Sequence, residues 1–456
     1  LIVRKILYPL YRALKRDTVL ARLQDMRKVQ HMDPDQIRQY QWNKVRLLLE
    51  HAAEHVPYYR KVFKDIGAEP GDFKGEADLG RMPILRKRNI RENTDAMISE
   101  AFSKKDLAPD STGGSTGENL YFWVDRQASQ ARTANNIRMN EWIDIRIGDR
   151  IALLWGTAFD MKQSRRLVNA LRNMVQNTLI LSAYRMDSEN VAAYAERLSR
   201  FKPHMLVAYP SALAHFSQGL LDTGRAEIRP KAVLLSGETV YDWQREITER
   251  AFATAAYSHY GSREFGGLAR ECRLRNGLHI GCERVLVEAV PVTDGPAGTD
   301  MRELVISDLD NYGMPFIRYA IEDLGTITWD KCDCGINLPR LETTIGRTFD
   351  VVRAPNGNFL GGTFWTILLR KMKGIERFQV IQEVIDEITI ALIPTAEFSD
   401  QTRTYIIGKV REACGDQMRV RFEIKPELQQ TPAGKHRFVI SRLGLTGGEG
   451  DGPSQG

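Results

Sequence analysis

Three short apolar runs, separated by helix-length segments, constrain this chain more than any other feature. Arg150–Leu154, Met205–Ala208 and Lys231–Leu235 are rich in Ile, Leu, Val and Ala and show no polar alternation. Runs of that kind are strands covered on both faces. Asp187 or Ser188 can cap a helix reaching about Arg200, and another helix is expected over 242–255. Strands alternating with helices give layers around a parallel sheet, an α/β fold that binds ligands at the carboxyl ends of its strands. Upstream, Val45, Leu48, Leu49, Ala52, Ala53 and Val56 recur at helical spacing within 37–63, where Pro57 ends or kinks the run. Residues 66–93 read as loop-rich and Asp125–Trp142 as a helix. After about residue 280 the pattern turns to β: strands at 283–290 and 301–309, and a turn-rich β pair over 315–329. Strands at Phe378–Val384, Glu387–Leu392 and Arg419–Ile424, with a helix at Thr402–Ala413, make a small α+β domain starting near Arg347. The expected division is an arm (1–36), a large domain (37–346), a small C-terminal domain (347–443) and a tail (444–456).

Asp110–Leu120, DSTGGSTGENL, is the chemically most distinctive stretch. Gly113, Gly114 and Gly117 allow tight turning, and Ser111, Thr112, Ser115 and Thr116 add hydroxyl donors, so the segment can present N–H and O–H groups to a polyanion. No GK[ST] follows the glycines, so it is not a Walker loop. The structural alternative is an exposed Gly/Ser turn.

Charge distribution excludes one class of function. Residues 1–28 hold eight basic and two acidic side chains, which accounts for the whole formal charge of +6. The rest of the chain is formally neutral, so a broad nucleic-acid-binding face is not expected. The arm also carries Ile6, Leu7, Leu10, Tyr11 and Leu14, and either lies on an anionic membrane surface or packs on its own domain. No run of eighteen apolar residues exists, and five cysteines do not form a secreted disulfide framework. The expected location is the cytoplasm.

Cys272, His279, Cys332 and Cys334 supply three thiolates and one imidazole, enough for a closed, structural tetrahedral Zn²⁺ site. Such a site would pin residues 259–266 to the strand following 317–325. Cys282 competes as a ligand, free or buried thiols are the alternative, and Cys414 reads as core.

Taken in order, the glycine stretch, SGE at 236–238, HYGSREFG at 259–266, IRYAIEDLG at 317–325, IGRTFD at 345–350 and TPAGKHRFV at 431–439 resemble the adenylate-forming enzymes. The resemblance spans roughly 40–445 and is strongest to the phenylacetate–CoA ligase and capsule-biosynthesis, CapK-like branch. It implies a large multi-layer N-terminal domain with a small mobile C-terminal α+β domain. The implied activity is MgATP-dependent adenylation of a small carboxylic acid, followed by transfer to a thiol, with coenzyme A first, or to an amine. Thr112, Gly113, Gly114, Ser115, Thr116 and Gly117 would hold the ATP phosphates. Ser236, Gly237 and Glu238 would line the adenine side, and His259, Tyr260 and Gly261 the adenine and acyl pockets. Glu264 would bind Mg²⁺, Asp323 the ribose hydroxyls, and Arg347 the ribose or α-phosphate region. Asp350 would be the hinge and Lys435 the catalytic lysine. The chain departs from the family pattern at Glu118, where a Lys or Arg is common, and at Glu322, where a Gly usually precedes the aspartate. A non-catalytic, membrane-associated scaffold is the reading from a different class. Oligomeric state is not legible in the sequence.

Overall fold

The computed structural model describes residues 8–15, 17–112, 120–155, 177–183, 188–224, 227–292, 302–347, 351–356, 358–370, 372–429 and 437–443. The chain opens with helices α1 (Tyr8–Leu14), α2 (Val19–Val29), α3 (Pro34–His55) and α4 (Pro57–Asp65), then short α5 (Glu76–Leu79) and α6 (Lys87–Glu92). Pro34 takes the first position of α3, and the Asp33 N–H donates to the Gln36 side chain at 3.2 Å, so both local signals start the helix there. Pro57 forces Val56 into an extended conformation (φ −117°, ψ 109°), which ends α3, and then begins α4. An arm ending at residue 36 would therefore cut α3.

Next come the hairpin β1 (Ala108–Ser111) and β2 (Tyr121–Val124), then α7 (Arg126–Glu141). Asp125 caps α7 by accepting from the Ala128 N–H at 2.8 Å; its carboxylate also accepts from the N–H groups of Tyr312 and Gly313. α2 lies against α7. Val19, Leu23 and Met26 are buried on Ala131 and Ala134, whose small side chains allow close approach. Arg22 and Lys44 meet Asp310 at 3.3 and 2.8 Å, and Arg27 pairs with Glu141. Residues 18–29 of the basic arm are thus built into the large domain; residues 1–7 lie outside the described part.

The large domain follows: β3 (Ile151–Leu154), β4 (Thr178–Leu181), α8 (Ser188–Phe201), β5 (Met205–Ala208), α9 (Pro210–Asp222), β6 (Ala232–Ser236), α10 (Asp242–Phe252), β7 (Ala256–Ser262) and β8 (Gly266–Glu271). It continues through β9 (Leu278–Ile280), β10 (Val285–Pro291), β11 (Arg302–Asp308), β12 (Tyr319–Thr328) and β13 (Arg340–Arg347). These strands form one eleven-stranded sheet, ordered β10-β11-β12-β13-β9-β8-β7-β6-β5-β3-β4. Pairings among β4, β3, β5, β6 and β7 are parallel, as the unbroken apolar runs require; β6 is buried at every position. From β8 onward the pairings are antiparallel.

Two sequence expectations are corrected. Residues 315–329 do not fold into a β pair. One bulged strand, β12, begins at Tyr319, and the turn-like appearance comes from Arg318 and Glu322, both with positive φ (53° and 67°). Helix α10 stops at Phe252 because Ala253 takes a left-handed conformation (φ 47°).

The C-terminal unit comprises the pair β14 (Val351–Arg353) and β15 (Phe359–Gly361), α11 (Gly362–Arg370), β16 (Ile375–Val384), β17 (Glu387–Pro394), α12 (Asp400–Cys414), β18 (Arg419–Ile424) and β19 (Val439–Ser441). Its sheet runs β18-β17-β16-β19. Val352, Trp365, Phe378, Ile390, Ile406, Val410 and Cys414 form its own core, so Cys414 is core as expected. Arg347 still belongs to the large sheet, so the change of domain falls just beyond it.

Candidate active site and metal-ligand cluster

The parallel strands release their chains along one edge of the sheet. Trp155 follows β3, Tyr209 follows β5, and Gly237 follows β6. The rings of Trp155 and Tyr209 lie 4.0 Å apart between centroids. Gly237 has φ 86°, and a Cβ there would come within 2.9 Å of Tyr209 and 3.2 Å of Trp155, so both backbone and neighbours demand glycine. The Glu238 carboxylate turns to α9, accepting from the Ser211 N–H and hydroxyl at 2.9 Å each. That leaves the backbone of Ser236–Gly237 as the part of SGE at the strand end.

Ser236 on β6 is in register with His259 on β7. Arg270 Nε donates to His259 Nδ1 at 3.2 Å, which places the imidazole proton on Nε2. Burial, with the Arg270 charge beside it, pushes the His259 pKa well below its ordinary value, so the ring is neutral at neutral pH. At Gly261 a Cβ would come 2.5 Å from the Gly266 carbonyl oxygen, the close approach that lets β7 and β8 meet as a hairpin.

Tyr260 and Asp323, 63 positions apart, meet directly: the phenol donates to the carboxylate at 2.6 Å. A bulge brings them together. β11 pairs Glu303 with Leu324 but Val305 with Ala320, so Ile321, Glu322 and Asp323 stand opposite a single residue. Glu322 takes the left-handed conformation that a glycine would adopt freely, and it pairs with Lys87 of α6. The departure from glycine at 322 therefore keeps the turn, with a charged partner holding the side chain. Asp323 is also in register with Arg347 on β13.

Glu264, 7% exposed, sits in the β7–β8 turn and accepts from the Tyr319 hydroxyl at 3.0 Å, while its carbonyl accepts from Arg132. Arg132 also pairs with the buried Asp308 at 3.2 Å, which fixes the turn to α7 and β11. Thr112 closes the base of the glycine stretch: its N–H donates to the Leu120 carbonyl at 3.0 Å, and its hydroxyl accepts from the Leu120 N–H at 3.1 Å. Asp110 and Arg263 approach to 3.9 Å, setting that stem beside the turn that carries Glu264.

The structure thus brings Ser236, Gly237, His259, Tyr260 and Gly261 together on and just beyond the adjoining strands β6 and β7, joins Asp323 of β12 to Tyr260 by a hydrogen bond, and sets Glu264 in the β7–β8 turn beside the stem that carries Thr112. Gly113, Gly114, Ser115, Thr116, Gly117, Glu118, Asp350 and Lys435, and the side chain of Arg347, lie outside the described residues. Sequence reasoning missed Trp155, Tyr209, Arg132 and Tyr319. The first two follow strand ends and could have been found by that rule; Tyr319 lies within the 317–325 motif, and Arg132 carried no sequence signal.

The four metal-donor candidates converge as expected. The ligand atoms of Cys272, His279, Cys332 and Cys334 all lie within 4.8 Å of one another. Cys272 Sγ to Cys332 Sγ is 4.0 Å, and Cys334 Sγ to His279 Nε2 is 3.3 Å. A tetrahedron with metal–sulfur bonds of about 2.3 Å has sulfur–sulfur edges of about 3.8 Å, so the donor set fits a zinc-sized ion. The Leu338 carbonyl lies 3.2 Å from His279 Nδ1 and orients the ring with Nε2 toward the thiols. The Cys334 thiol, with the imidazole assisting against burial, holds Cys272 far below the usual thiol range. Cys282 is not among the clustered donors and is buried in the core, where desolvation raises its pKa. The cluster joins the far end of β8 to β9 and to the β12–β13 connection. It therefore pins the end of the hairpin opposite Glu264, about 20 Å of strand away, rather than the 259–266 turn.

Comparison with known proteins agrees with this architecture. The CapK C-terminal domain family matches residues 352–442. Protein CapK of Staphylococcus aureus is 23% identical over 377 residues, spanning 80% of this chain and 81% of that protein. Phenylacetate-coenzyme A ligase of Thermus thermophilus is 21% identical over 439 residues, 89% of this chain and 96% of that enzyme. Among solved structures, 2-hydroxyisobutyryl-CoA ligase in its postadenylation state, with an acyl-AMP bound, overlays with a TM-score of 0.72 at 18% identity over 91% of both chains. The same ligase in its thioesterification state gives 0.61 at 20% identity and equal coverage. These relatives, together with a large mixed α/β domain followed by a small CapK-type C-terminal domain, place this chain in the adenylate-forming ligase superfamily, related to the phenylacetate-CoA ligase and CapK-like proteins.

Proposed function

We propose that the chain activates a small carboxylic acid with MgATP and then passes the acyl group to a thiol, coenzyme A first. A carboxylate oxygen attacks the α-phosphorus, the bond to pyrophosphate breaks, and an acyl-adenylate forms. The thiolate then attacks the acyl carbon and AMP leaves, taking the electron pair that a bare carboxylate oxygen accepts poorly. The observation that carries this reading is the Tyr260–Asp323 hydrogen bond of 2.6 Å between β7 and β12. A carboxylate pre-aimed by a phenol and a bulge can accept from two ribose hydroxyls. Ser236 and Gly237 offer their backbone to the adenine edge. The stem at Thr112 sets the glycine stretch for the phosphates, and Glu264 beside it offers a hard oxygen ligand to Mg²⁺, which neutralises phosphate charge. Arg347 serves the ribose or α-phosphate, Asp350 the hinge, and Lys435, brought by the mobile small domain, the crowded charge of the first step. Zn²⁺ at Cys272, His279, Cys332 and Cys334 is structural, because four protein ligands leave no open position.

The test is acid-dependent ATP–pyrophosphate exchange across a panel of carboxylic acids, followed by coenzyme A and by amines as acceptors. Exchange with at least one acid and thioester formation are expected. Exchange that leads only to amide would move the acceptor to an amine. A folded protein with no exchange across the panel would refute adenylation and leave the scaffold reading.

A further inference from the structure

Tyr241, at the start of α10 in the large domain, touches the C-terminal unit at two points. Its ring meets Phe438 edge to face, with centroids 5.5 Å apart at 89°, and Trp243 meets the same phenylalanine at 6.5 Å and 83°. Its hydroxyl lies over Gly362, the first residue of α11. A methyl group at 362 would overlap that oxygen, whereas the ring carbon behind it stands 3.2 Å away. Gly362 does not have a positive φ, so its backbone does not require glycine. The requirement comes from a side chain of the other domain. In sequence Phe438 is three residues from Lys435 and Tyr241 three from Glu238, so this contact joins the chain just beyond the lysine to the chain just beyond the strand end that carries Ser236 and Gly237. The whole chain overlays better on the postadenylation arrangement of 2-hydroxyisobutyryl-CoA ligase (TM-score 0.72) than on its thioesterification arrangement (0.61).

We propose that Tyr241 and Gly362, with Phe438, form a latch between the domains that exists in the adenylating arrangement and is released for acyl transfer. The inference rests on the proposed two-step reaction. Tyr241 and Gly362 are positioning residues: they act by placing the Lys435 segment and touch no reacting atom.

The test is a double-mutant cycle read on both half-reactions. Gly362→Ala drives a methyl into the Tyr241 oxygen and is expected to slow acid-dependent pyrophosphate exchange at least tenfold. Thioester formation from a supplied acyl-adenylate should change by less than twofold. Tyr241→Phe removes the oxygen, so adding it to Gly362→Ala is expected to restore exchange at least fivefold. If Gly362→Ala does not fold, Tyr241→Trp applies the same crowding from the large domain and should give the same split. Absence of rescue in the double mutant, or equal loss of both steps, overturns the latch. Hydrogen exchange separates this from failure of the proposed function. Even if no acid supports exchange, protection over 242–252 and 362–370 should fall in Gly362→Ala and return in the double mutant. Unchanged protection across the cycle refutes the contact.

Discussion

Replacing Tyr260 by Phe isolates one hydrogen bond of the candidate site. The ring, and any stacking it provides, is kept; the phenol that holds Asp323 at 2.6 Å is lost. A hydrogen bond to a charged group is worth about 1.5–3 kcal/mol, and because both residues are only half-buried the lower end applies. At about 1.4 kcal/mol per factor of ten, an Asp323 left unaimed should bind the ribose hydroxyls roughly tenfold more weakly. The assay compares kcat/KM in acid-dependent exchange for ATP and for 2′,3′-dideoxy-ATP, in wild type and Tyr260→Phe. The wild type should prefer ATP, and the mutant should lose about tenfold of that preference while handling the dideoxy nucleotide almost as before. An unchanged preference would show that Tyr260 does not act through Asp323. Equal losses with both nucleotides would put the phenol at the adenine or acid instead.

Three further outcomes are expected. Lys435→Ala should slow adenylate formation on the order of a hundredfold or more while sparing acyl transfer from supplied acyl-adenylate; near-wild-type exchange would remove the lysine from the first step. Protein purified without chelator should contain about one zinc per chain, lost with a lowered melting temperature in the Cys332→Ser, Cys334→Ser double mutant, and elemental analysis finding no zinc in the wild type would exclude the site. His259 is neutral in the fold because its pKa is depressed, whereas the unfolded chain takes up a proton near its ordinary value of about 6.5. Stability should therefore be full above about pH 6.5 and decline as pH falls below it, less steeply in His259→Gln. Denaturation profiles of equal slope would mean that the ring is not held neutral.

The buried parallel strands were legible because a strand covered on both faces must be apolar throughout, whatever its neighbours. The break at Pro57 and the helix beginning at Asp125 were legible for a similar reason, because both residues act on backbone groups within a few positions, whereas α3 starts at Pro34, three residues before the expected start. The metal donors could be named from residue type alone, but their convergence across 60 positions is a property of the fold. What the sequence could not contain is register. Asp323 reaches Tyr260 because β12 bulges against β11, and Glu322 adopts a glycine-like conformation because Lys87 on a distant helix holds it there. Those choices read locally as a turn, and only pairing with a neighbouring strand makes them one continuous strand. The arm's amphipathic pattern equally allowed a lipid surface or a protein one, since both offer apolar area to the same face. The alanines of α7, placed opposite Val19, Leu23 and Met26, set α2 on the protein, beyond the Ile6–Leu14 stretch that carries the amphipathic pattern. Gly362 gave no hint of its purpose, because the atom that demands it belongs to Tyr241, 121 positions earlier and in the other domain. Local chemistry names the parts of this protein; contacts between distant segments, each fixed only when the chain closes on itself, decide which parts meet.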